Sequence, residues 1–243
     1  MKILYNHRTQ GRGAESTHIV SIVRALEELG HEVDVFSPPG VDPLSSHGQA
    51  PVDKSDVKLS GISRLWGFIS NHLPDFMFEL IEIIYNIPLY FRLGKVLNLT
   101  KYDMIYERYA FFMIAGALQA QRRGIPIVLE ANEVSGISGR ARPQVFKRLC
   151  SWFERVLIKR ITSVFPVSST LATMLLENRC ESKKIVVQPN AIDPRSIFVD
   201  EEKKVAILDE MGGGDRTLIG CAGWFDKWDR LDFLLEAFLD VNK

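Results

Sequence analysis

Short apolar runs alternate with longer stretches of helical period along most of this chain. Lys2–Asn6 reads as a buried strand. Glu15–Leu29 then places Ile19, Ile22, Val23, Leu26 and Leu29 on one helical face and meets Gly30, a residue suited to the left-handed turn that ends helices. Glu32–Phe36 supplies a second strand. Ser37–Val57, with Pro38, Pro39, Pro43, Pro51, Gly40 and Gly48, reads as a long irregular connection of the kind that often carries function. Ile62–Leu97 is mainly helical and rich in aromatic residues, with breaks expected near Pro74 and Pro88.

The alternation continues with strands at Asp103–Tyr106, Ile125–Leu129, Ser163–Val167 and Ile185–Gln188, and helices at Phe111–Arg123, Gln144–Ile161 and Thr170–Asn178. Strands separated by helices in this way form parallel βαβ units, so the chain is expected to be an α/β protein built on a doubly wound parallel, Rossmann-like sheet. Residues 1–192 make up that domain. Residues 193–215, charged and ending at Gly212-Gly213-Gly214, read as a linker with one short helical pattern around Val205–Met211. Residues 216–243 offer a strand, Thr217–Ala222, and an amphipathic helix, Arg230–Val241, which cannot close a core and look like the opening of a truncated second domain.

Composition narrows the class. Thirty basic residues balance thirty acidic ones, which removes the broad attraction that nucleic-acid binding depends on. Cys150, Cys180 and Cys221 lie too far apart for a zinc ribbon or a disulfide framework, so a reducing, cytoplasmic setting fits and no metal is expected. Met1–Tyr5 runs into Asn6-His7-Arg8 before an export signal of normal length develops. The apolar stretch from Phe76 to Phe91 is interrupted by Glu79, Glu82, Asn86 and Pro88, which argues against a membrane span.

In doubly wound sheets ligands collect at the carboxyl ends of the strands. After the first strand, Gly11-Arg12-Gly13 could bring backbone N–H groups and a helix N-terminus to phosphate oxygens, or could merely form a turn. Ser16 stands where a dinucleotide fingerprint needs its third glycine, and Phe36-Ser37 stands where its ribose-binding acid would be, so no nicotinamide cofactor is expected. The other strand ends carry Glu107-Arg108-Tyr109, Glu130-Ala131-Asn132-Glu133, Ser168-Ser169 and Pro189-Asn190. Such carboxylates, amides and guanidinium groups suit a polyhydroxylated substrate. Each also has a purely structural reading: Glu107 and Arg108 could pair with each other, Ser168 could cap a helix, and Asn190 could make a turn.

These residues resemble a family. Lys2–Phe36 with its Gly11/Gly13 loop, Tyr102–Tyr109, Ile125–Asn132, Val167-Ser168-Ser169, Ile185–Asp193 and Gly220–Phe225 with Lys227-Trp228 follow the order found in family 4 glycosyltransferases. The resemblance implies a GT-B enzyme that moves a sugar from a nucleotide-sugar, UDP- or GDP-linked, to a glycan or lipid-linked acceptor. It further implies retention of configuration, no bound metal and no cofactor. By position it places Arg108, Glu130 and Asn132 at the reaction centre. Gly11, Arg12, Gly13, Asn190, Gly223 and Lys227 become substrate-binding residues, with Lys227 supplying charge to the departing diphosphate. Ala191 and Asp229-Arg230 depart from the family's pattern, and its pair of donor-binding glutamates would lie beyond residue 243. The chain is thus expected to act with a missing C-terminal half; the alternative is a non-catalytic interaction protein derived from such a domain. An apolar and basic helix, Gln144–Ile161, and the aromatic segment Phe76–Phe91 add an expectation of weak peripheral contact with the inner membrane face. Substitution of Arg108 or Glu130 is expected to lower turnover far more than stability.

Overall fold

The computed structural model describes residues 1–9, 14–44, 74–136, 144–191, 199–212, 219–221 and 230–241. The chain divides into two compact units at Asn190–Ala191.

The first unit is a five-stranded, wholly parallel sheet: β1 (Lys2–Asn6), β2 (Glu32–Phe36), β3 (Met104–Arg108), β4 (Ile127–Ala131) and β5 (Ser163–Pro166), in the order β2-β1-β3-β4-β5. Its helices are α1 (Ala14–Glu28), α2 (Asp75–Ile84), α3 (Asn86–Leu99), α4 (Ala115–Arg123), α5 (Lys147–Ile158) and α6 (Ser169–Glu177). Alternate residues of each strand point to opposite faces. Ile3, Tyr5, Tyr106 and Val128 pack with Ile19 and Val23 of α1. Leu4, Ile105, Ile127 and Leu129 pack with Leu89, Leu93, Leu157 and Leu175 on the other side. Both faces are covered, which is why the strands read as nearly continuous apolar runs.

Most expected elements are present, and three of the departures have a physical reason in the structure. The break expected near Pro88 falls at Tyr85, because a proline in the first turn of α3 forgoes an N–H that the helix does not use there. Helix α4 begins at Ala115 rather than Phe111, since Phe112 adopts φ 61° in the turn before it. Asn86 of α3 fixes that start: its Oδ1 accepts from the Ile114 and Ala115 N–H groups, and its Nδ2 donates to the Ile83 and Phe112 carbonyls. Ile185–Gln188 runs beside β5, with the Val186 N–H on the Val164 carbonyl and the Gln188 N–H on the Pro166 carbonyl, yet makes only an isolated bridge and no full strand.

The capping expectation for Ser168 holds: its Oγ accepts from the Leu171 N–H at the start of α6. Gly30 takes φ 82° after α1, as expected. Two buried carboxylates fasten the helices. Glu79 of α2 accepts the Val145 and Phe146 N–H groups ahead of α5, each at 2.7 Å. Glu154 of α5 accepts from Tyr109 Oη and the Ser135 N–H, both at 2.7 Å, and from Asn178.

The described part of the second unit holds two helices, α7 (Glu201–Glu210) and α8 (Leu231–Val241). Helix α7 is capped by Asp200, buries none of its residues and carries the Glu201–Lys204 pair. Residues 219–221, within the strand expected at 217–222, are described and are not in a strand. No helix among the described residues is long and apolar enough to cross a membrane.

Candidate active site

The site is assembled where β1, β3 and β4 end beneath the start of α1. Strand register sets Arg108 beside Glu130, and both point to the α1 face. Glu130 is buried and gathers four donors. His18 Nε2 and Arg108 Nη1 each reach its Oε1 at 2.9 Å, Asn132 Nδ2 joins them on the same oxygen, and Tyr5 Oη lies 3.3 Å from Oε2. Burial acts to raise the pKa of Glu130, but the His18 hydrogen bond, the Arg108 charge and the Asn132 amide outweigh it and hold the carboxyl below its ordinary value. Glu130 is therefore an anion at neutral pH.

Around that anion stands an aromatic wall. The Tyr5 and Tyr106 rings stack at 5.2 Å between centroids, 15° from parallel. Burial pushes both phenols far above their usual range, so neither gives up its proton at physiological pH. His7, next along the chain from β1, is also buried; its Nε2 meets Ser37 Oγ at 2.8 Å and its Nδ1 meets Thr9 Oγ1 at 3.2 Å. Burial, helped by the Arg108 charge, lowers its pKa to about 4, so His7 is neutral.

Arg108, Glu130 and Asn132, the residues expected at a reaction centre, are thus brought together. Glu107 does not pair with Arg108, because consecutive strand residues face opposite ways; it meets Asn6 on the other side of the sheet. Asn190 is exposed and shares no hydrogen bond with the Glu130 cluster. Gly11, Arg12, Gly13, Gly223 and Lys227 lie outside the described residues. Sequence reasoning missed His18, Tyr5 and His7. The only signal for His18 was its place in the first turns of the helix that follows β1, since its spacing marks it as an ordinary polar position beside the apolar face of α1.

Chemically, a carboxylate saturated by donors is a poor general base. Its use is to fix the His18 ring and to hold Arg108, which can offer its remaining N–H groups to an oxyanion or to sugar hydroxyls. Among the described residues no group of three or more His, Cys, Asp or Glu side chains is placed to hold a metal ion.

Residues 15–196 match the domain described as Glycosyltransferase Family 4. The chain belongs to that family. A search of curated proteins found no match. Among solved structures, this glycosyltransferase-family chain is similar to S. aureus MnaA in a co-structure with UDP, at 20% identity and a TM-score of 0.52, covering 87% of this chain and 50% of that one. It is similar to Anabaena HepE in complex with UDP, at 14% identity and a TM-score of 0.52, with the same coverage. A third is sucrose-phosphate synthase from Thermosynechococcus elongatus, at 10% identity and a TM-score of 0.54, covering 85% of this chain and 52% of that one. At these identities the likeness is one of fold: the first unit has the architecture of one half of a GT-B structure. The chain spans about half the length of the structures it matches.

Proposed function

We propose that this domain forms the acceptor-side half of a retaining, metal-independent glycosyltransferase that takes a UDP- or GDP-sugar and passes the sugar to a glycan or lipid-linked acceptor. In such a transfer the bond from the anomeric carbon to the diphosphate oxygen breaks, and the acceptor oxygen bonds to that carbon and sheds its proton. The observation that carries the reading is the cluster of Arg108, His18 and Asn132 on Glu130 at the carboxyl edge of the sheet, in a chain of this family. Arg108 and His18 are assigned to orient hydroxyl or phosphate oxygens in the reacting pair. Gly11, Arg12 and Gly13 are assigned to the donor diphosphate by their position after β1, and Asn190, Gly223 and Lys227 to the donor side. Residues 193–215 are assigned as linker and 216–243 as the start of the donor-binding domain.

The experiment joins the chain to a donor-binding half and follows nucleotide release with UDP- and GDP-sugars. Arg108→Lys is expected to lower kcat/KM by about two orders of magnitude, since a positioned group lost from a reacting site has effects of that size. An unchanged kcat/KM would remove Arg108 from the site. If every pairing with a donor half fails to transfer sugar while binding none, the chain is instead a non-catalytic interaction protein.

A further inference from the structure

Two buried oxygens on the far side of the sheet lack a donor. Asn6 of β1 and Glu107 of β3 are partners in strand register, both wholly buried, and Asn6 Nδ2 donates to Glu107 Oε2 at 2.5 Å. Among the described residues, the second oxygen of each, Asn6 Oδ1 and Glu107 Oε1, has no hydrogen-bond partner. Unpaired buried acceptors are rare and costly, and two on one interacting pair call for a common cause. A single proton on Glu107 Oε1 removes both deficits. The acid O–H then donates to Asn6 Oδ1 while Asn6 Nδ2 still donates to Oε2, which closes a ring of two hydrogen bonds.

The surroundings favour that proton. A Cβ placed on Gly116 would come within 1.7 Å of Glu107 Oε2, so the carboxyl lies against bare backbone in the first turn of α4. Two N–H groups of that turn, those of Ile114 and Ala115, are taken by Asn86 of α3, and among the described residues Glu107 accepts from no backbone N–H. β1 contributes Asn6 and β4 contributes Leu129. The cations nearest along the chain are engaged elsewhere, Arg108 with Glu130 on the opposite face and Arg8 with Glu82. Burial, only partly opposed by the Asn6 hydrogen bond, pushes the Glu107 pKa up to about 7.

We propose that Glu107 is held as a neutral carboxylic acid below neutral pH, and that its ring with Asn6 locks the carboxyl ends of β1 and β3 in register beneath the candidate site. His7 and Arg108 are the next residues on those two chains, so Glu107 is a positioning residue that acts through them. Its ionisation opens the ring and loosens the edge that carries both.

The test uses the 243-residue chain as it stands, and none of its readouts needs sugar transfer, so its failure is distinct from failure of the glycosyltransferase reading. With glutamate carboxyl carbons labelled, one resonance should titrate near pH 7, well above the others, and be missing in Glu107→Gln. Glutamine reproduces the ring, because its Nε2 donates to Asn6 Oδ1 and its oxygen accepts from Asn6. A carboxyl with a raised folded pKa loses stability as pH rises. The folding equilibrium constant of the wild type should therefore fall about 30-fold relative to Glu107→Gln between about pH 5.5 and about pH 8.5. The His7 and His18 ring resonances should also show a secondary inflection at the Glu107 midpoint that the glutamine variant abolishes. If no glutamate titrates above about pH 6, the acid is not neutral and the proposal falls. Should one titrate there without any inflection at His7 or His18, the positioning role falls. The labelled wild type decides the first point even if the variant does not fold.

Discussion

At the scale of single residues, His7 and Glu107 titrate with opposite consequences. A histidine whose folded pKa lies at about 4 contributes stability that is present above its unfolded pKa and is lost as pH falls. For His7 that loss is about 2 kcal/mol between pH 7 and pH 5, whereas protonation of Glu107 returns about the same over that interval. The wild type should accordingly show a nearly flat urea midpoint from pH 5 to pH 7. His7→Gln should become more stable on acidification, and a variant profile as flat as that of the wild type would show that His7 is not buried neutral. Glu130 calls for a different expectation from the one its strand-end position suggested. It is buried and anchors Arg108 and His18, so Glu130→Ala leaves an uncompensated guanidinium and should cost about 3 kcal/mol in chemical denaturation, alongside any loss of turnover. Glu130→Gln should cost clearly less. Arg108, Glu130 and Asn132 could be picked as candidates from the sequence because all three end or follow strands. It concealed Tyr5, His7 and His18 because a tyrosine in a strand and a histidine on a helix look like ordinary core and surface until the register is known.

At the scale of elements, periodicity located every strand of the sheet, since both-face burial leaves an unmistakable apolar run. It misplaced the start of α4 and the junction of α2 with α3, because those ends are set by a side chain from another element rather than by local composition. Glu79 is the clearest such case. In the sequence it interrupts an apolar stretch; in the fold it accepts two backbone N–H groups ahead of α5. Hydrogen bonds to a charged group contribute about 1.5–3 kcal/mol, so Glu79→Ala should destabilise the domain by about 3 kcal/mol in total and speed amide exchange at Val145 and Phe146. Exchange at those two amides that matches the wild type would mean that the α5 terminus is held by other means.

At the scale of the whole molecule, the first unit exposes a band of large apolar side chains on α2 and α3: Phe76, Met77, Leu80, Ile84, Ile87 and Phe91. Helix α5 adds exposed Trp152 and Leu149 beside exposed Lys147, Arg148 and Lys159. Apolar side chains with flanking cations suit an anionic lipid surface. The chain should cosediment with anionic liposomes at low salt, weaken as salt is raised, and bind less when Trp152 and Phe91 are both replaced by serine. No binding at low salt, or binding that ignores salt, would count against a membrane-borne acceptor. The second unit was the least legible part, because a helix such as α7, whose apolar residues Val205–Leu208 run together instead of recurring every three or four positions, forms no single apolar face to show what it packs against.

Asn86 gives this band a mechanical meaning. Its one amide closes the end of α2, opens α4 and ties down the turn at Phe112, using all its hydrogen-bonding capacity. The first turn of α4 in turn bears on the carboxyl of Glu107. A short chain of contacts thus runs from the outer helices through one side chain to the strand end that carries Glu107 and Arg108. Asn86 is the residue that α2, α3 and α4 share along that route.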